Sequence, residues 1–131
     1  MTSILAAHGF KPCPAPFNMA AHVMAQAIPF GDKTALCVVG PQGSEDWSFA
    51  ALEAAVRGTA TGLLALGLEP GDIVLMRLGN TVDFPLAYLG ALAAGLVPVP
   101  TAAALTAGEV ASMITTLNPK AILRDPDVAC P

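Results

Sequence analysis

Two histidines, three cysteines and ten acidic residues are the side chains of this 131-residue chain that could move a proton, hold a metal or attack a carbonyl. Each of those chemistries needs them at particular spacings. A structural zinc site gathers Cys and His ligands in close sequence pairs. Cys13, Cys37 and Cys130 stand far apart and form no CxxC. An odd number of distant cysteines builds no disulfide framework either. Cys37 lies in the apolar run "TALCVVG", which reads as a buried, inert thiol. Reduced thiols point to the cytoplasm. His8 and His22 have no acidic or cysteine neighbour at ligand spacing, so His22 reads as a surface or half-buried side chain.

Phosphate chemistry fares no better. A dinucleotide fold needs a glycine-rich turn after its first strand, but the turn after "IVLMRL" is "GNT". A P-loop ends in Gly-Lys, and no Gly-Lys pair occurs; nor does a GxSxG elbow. Glu69 and Asp72 flank a turn, while Asp83 and Glu109 fall in first helical turns, where the helix dipole favours them. Asn80 ends a strand and opens a helix on the carboxyl edge, where α/β folds bind ligands, yet Asn is also a good helix cap. The cap is the reading taken. No residue is assigned a catalytic, cofactor-binding or metal-binding role.

Composition narrows the class. Charged residues make up 12% and apolar residues 54%; soluble domains usually carry about 25% charge. Such a surface is expected to be covered, within an assembly or a larger chain. The net charge is −4, with six basic residues, one Trp and one Tyr. That excludes a nucleic-acid footprint, which needs clustered Lys and Arg, and disfavours anionic membranes. Residues 84–108 carry no charge, long enough to span a bilayer. Pro85, Pro98 and Pro100 divide them into a helix and a strand, so no span is expected. The start, "MTSILAAHGFKPCPAP", has no basic opening and no unbroken apolar core, unlike a signal peptide.

The elements follow from pattern. Residues 1–16 form a proline-rich arm, with Pro12, Pro14 and Pro16 at alternate positions. Asn18 caps a short helix over 19–28 that ends before Pro29. Residues 34–40 and the "EDWSF" segment form a β-hairpin. Ser48 caps a helix on which Phe49, Leu52, Val56 and Leu63 repeat at helical spacing, closed by Gly67. "EPGD" is a type II turn. "IVLMRL" is apolar on both faces, as in parallel sheets. A helix through Ala94, capped by Asn80, Thr81 or Asp83, stops at Gly95, and "LVPVP" is the next strand. "TAGE" (106–109) is a capping box ahead of Val110, Met113, Ile114 and Leu117. "KAILR" is the last strand. The order β-α-β-α-β predicts an α/β fold: a parallel, doubly wound sheet preceded by a short helix and a hairpin. These elements alone leave open a non-catalytic interaction module and a flavodoxin-like nucleotide-binding domain.

The ordered set "WSFAAL" (47–52), "GLEPGDIVLMRLGNTVDFPLAYLGALAAGLVPVP" (67–100) and "LTAGEV" (105–110) resembles the N-terminal part of AMP-forming acyl-CoA synthetases, members of the adenylate-forming superfamily. The resemblance covers about residues 17–124. It departs at Ala51, where the family usually has Glu, leaving Ser48 to cap alone. It departs also at Pro98, expected to remove a ladder donor and make its strand short or peripheral. The resemblance implies a parent enzyme that uses ATP, CoA and Mg²⁺ to turn a small-molecule carboxylic acid into a thioester. Such enzymes carry a later Pro-Lys phosphate loop, a Tyr-Gly-x-Thr-Glu segment, a ribose-binding Asp and a C-terminal Lys. None of these occurs here. Residues 17–131 are therefore expected to be a partial N-terminal subdomain, inactive alone and binding no cofactor. It is expected to self-associate through uncovered apolar surface unless the arm covers that surface.

Overall fold

In the computed structural model, residues 12–25, 27–128 and 130–131 are described; the arm's first eleven residues, His8 among them, lie outside them. The element order is α1 (Met19–Ala25), a 3₁₀ turn (Ile28–Phe30), β1 (Thr34–Gly40), β2 (Gly43–Ser48), α2 (Phe49–Ala65), β3 (Ile73–Arg77), α3 (Asp83–Ala93), β4 (Val97–Pro100), α4 (Ala107–Leu117) and β5 (Ala121–Arg124). The first helix is shorter than its pattern suggested. Pro29 sits inside the 3₁₀ turn, near its start, where a missing N–H costs no helical bond.

β1 and β2 pair antiparallel as the expected hairpin, while β4-β3-β5 is a three-stranded sheet, parallel throughout. The chain leaves central β3 for one neighbour and returns to the other. With right-handed crossovers, that order sends α3 and α4 to opposite faces. Burial agrees. Val74 packs with Leu63, Leu68, Ala91, Ala94 and Leu96, joined by Ala121 and Leu123 of β5. Leu75 and Arg77, on the opposite face of the pleat, are also fully buried. Val110 of α4 is out of water as well, while Met113, Ile114 and Leu117 are half-buried.

A second cluster, Met24, Leu52 and Val56, packs against Ala35, Leu86, Leu89 and Ala93 and so joins α1 and the hairpin to the α2–α3 layer. Asn18 fastens this corner twice. Its Oδ1 accepts from the Ala21 amide at 3.0 Å, and its Nδ2 donates to the Leu92 and Ala93 carbonyls at 3.0 and 3.1 Å. The α1 cap thus also bonds the last two carbonyls of α3, of which Leu92's accepts from the Gly95 amide as well.

Several expected caps are present. The Ser48 hydroxyl accepts from the Ala51 amide, and Thr106 and Glu109 form the reciprocal capping box. Gly67, Gly71 and Gly95 take positive φ at the turns that need it. The start of α3 differs from expectation. Its N-cap is Val82, with no side-chain cap bond, so Asn80, Thr81 and Asp83 do not cap it. Pro85 forces the difference: the helix must begin close before it. Pro98 also acts differently. The Val97 and Thr101 amides reach the Asp72 and Met76 carbonyls of the β3 side, so alternation turns the Pro98 position outward. The ladder loses no donor. β4 is nevertheless short and lies at an edge, as expected.

Two helices meet at Gly90. A Cβ built there would lie 2.5 Å from Thr59 Cγ2 and 2.7 Å from Thr59 Cβ. Gly90→Ala is predicted to push α2 from α3 and cost about 1–3 kcal/mol, as overpacking does, read as a lower urea midpoint. Thr106→Ala is predicted to cost about 0.5–2 kcal/mol, while Thr81→Ala, which removes no cap, leaves the midpoint unchanged. The Thr106 amide and hydroxyl hold the Glu109 carboxyl below its usual range. A lowered folded pKa stabilises above the unfolded value and is lost as pH falls through the folded one. Glu109→Gln should therefore flatten the acid side of the stability profile, and identical profiles would contradict the box.

Candidate functional site

The carboxyl edge of the sheet is where ligands bind in open α/β folds. Here it comprises the segments after β3, β4 and β5. The divergence of the chain falls between β3 and β4, and that crevice is filled from within by Arg77. The side chain is fully buried. Its Nη1 donates to Thr101 Oγ1 at 3.2 Å and to the Ala102 carbonyl at 2.6 Å, and its Nη2 to the Ala103 and Leu105 carbonyls at 3.4 and 3.3 Å. Thr101 Oγ1 in turn donates to the Met76 carbonyl at 2.8 Å. One guanidinium thus gathers the β4–α4 loop beneath α4. Arg suits this task because its planar fork presents five donors in fixed directions. The sequence reading assigned Arg77 no role. Its signal was a lone cation inside an otherwise apolar strand, "IVLMRL".

The other sequence candidates disperse. Asn80 is exposed, beside a shallow recess it shares with Thr81, Phe84, Pro85 and Leu36–Val39 of the hairpin. The Glu69 amide donates to Asp72 Oδ2 at 2.9 Å, which makes this pair a turn lock at the opposite, amino edge. His22 is exposed and stacks at a tilt on Phe17, with ring centroids 5.5 Å apart. Cys37 is exposed rather than buried. The hairpin's outer face, not a core, receives it, because the helices that pack on the hairpin leave this face exposed. Its neighbour across the ladder is Asp46. The bond to that carboxylate, with some desolvation and charge repulsion, pushes the thiol pKa up. This is the reverse of what activates a cysteine nucleophile.

Nor do the described residues fit ATP or Mg²⁺. Among them no three His, Cys, Asp or Glu side chains converge as metal ligands. The α3 N-terminus, the nearest counterpart of a phosphate-binding helix end, carries Asp83 in its first turn and repels an anion. No helix among the described residues is long and apolar enough to cross a membrane.

A parallel β-α-β-α-β sheet with an N-terminal hairpin, and with its carboxyl edge closed by its own arginine, defines an α/β framework. The AMP-binding enzyme family matches residues 23–130, and the chain belongs to that family. It is 32% identical over 93 residues to the 4-hydroxybenzoate–CoA/benzoate–CoA ligase of Rhodopseudomonas palustris, covering 71% of this chain and 17% of that one. The fold matches the N-terminal part of a benzoate–CoA ligase from Burkholderia xenovorans with a TM-score of 0.77 at 32% identity, over 86% of this chain and 22% of that one. ATP-bound MatB from Rhodopseudomonas palustris aligns at 30% identity with a TM-score of 0.66, over 82% and 22% of the two chains. The chain spans 11–17% of the length of the curated relatives it matches.

Arg77→Met is predicted to take the guanidinium donors from the Ala103 and Leu105 carbonyls, while the Ala102 carbonyl keeps the Leu105 amide, at about 3 kcal/mol or more. Arg77→Lys, with three donors on one nitrogen, should fall between. Hydrogen exchange of the Thr101–Leu105 amides together with urea midpoints checks this. Unchanged exchange in Arg77→Met would show that the loop holds itself.

Proposed function

We propose that this chain is the N-terminal framework of an ATP-dependent acid–CoA ligase. The observation that carries the reading is the family match over residues 23–130. The α/β order of the elements and the CoA-ligase relatives support it. The reaction would run in two halves. A carboxylate attacks the α-phosphorus of ATP, giving an acyl-adenylate and pyrophosphate; the CoA thiol then displaces AMP to form the thioester. Mg²⁺ would neutralise the phosphates. No step is assigned to a residue described above, because none is placed for it. Residues 17–131 would supply the sheet and helices on which the catalytic parts of the parent are mounted, and would be inactive alone. Exposed free thiols at Cys13 and Cys37 fit a reducing cytoplasm.

The test compares the 131-residue chain with the product of the complete reading frame that contains it. ATP–pyrophosphate exchange is measured with a panel of fatty and aromatic acids. The complete product should exchange with at least one acid, and the 131-residue chain with none. Exchange that scales with the shorter protein would refute its inactivity. A folded complete product that neither exchanges nor forms thioester would refute the ligase reading.

A further inference from the structure

We draw no further inference here: the strongest candidate, the apolar recess between α1 and α2 lined by Met24, Ile28, Val56 and Ala93 beside the Glu53–Arg57 pair, carries none, because nothing in the structure shows what covers it.

Discussion

Val74, Leu75, Met76 and Arg77 of β3 are all sealed from water, and the rest of the molecule answers to that constraint. A central strand buried on both faces needs a layer on each side. The α2–α3 pair supplies one, closely enough that only glycine fits at position 90. α4 and the loop before it supply the other. On that second face the strand also carries a charge, and a buried cation is tolerable only when hydrogen-bonded. The carbonyls of Ala102, Ala103 and Leu105 meet that need at the cost of a fixed loop path. Burial of one strand therefore dictates both the helix spacing on one face and the loop shape on the other.

The parts legible in the sequence are those set by short-range rules. Ser48 and Thr106 were readable as caps because their bonds close within three residues. The turns at Gly67, Gly71 and Gly95 were readable because they need positive φ. The parallel order was readable because uniform burial and β-α alternation both leave marks in pattern. The failures share a different cause. The Asn80 cap failed because Pro85 fixes where α3 begins, and several polar residues before it compete on equal terms. Cys37 failed because its apolar run suggested a core, whereas the hairpin has a covering layer on one face only. Arg77 was passed over because its partners lie 24–28 residues away, and no local rule announces them. Asn18 had its cap foreseen but not its bonds to α3, which lie 74 and 75 residues away.

The candidate site was legible mainly as a set of missing parts. Glycine-rich turns, Gly-Lys pairs and clustered ligands have sequence signatures, so their absence can be read directly. The structure gives that absence a physical form. The crevice between β3 and β4 is not vacant for a ligand; a side chain of the same strand occupies it, and Asp83 sets a negative charge at the adjoining helix end.

The two ends of the sheet are tied in different ways. At the amino end the chain ties itself with backbone bonds: the Gly71 amide to the Gly95 carbonyl, and the Val97 amide to the Asp72 carbonyl, both at 2.9 Å. The Asp72 carboxylate adds a bond to the Glu69 amide. At the carboxyl end the loop after β4 has backbone ties too, the Thr101 amide to the Met76 carbonyl and the Leu105 amide to the Ala102 carbonyl, both at 3.1 Å, and a side chain adds to them. Arg77 reaches the Ala102, Ala103 and Leu105 carbonyls from the strand beneath. Of the amino-end ties, the first two cross between the turn before β3 and the turn before β4, and only the Glu69–Asp72 bond closes a short turn. A side-chain tie at the other end spans a loop of five residues, Thr101–Leu105, and depends on one guanidinium. The carboxyl end, where one guanidinium gathers three carbonyls of the loop, is also the end at which open α/β folds bind ligands.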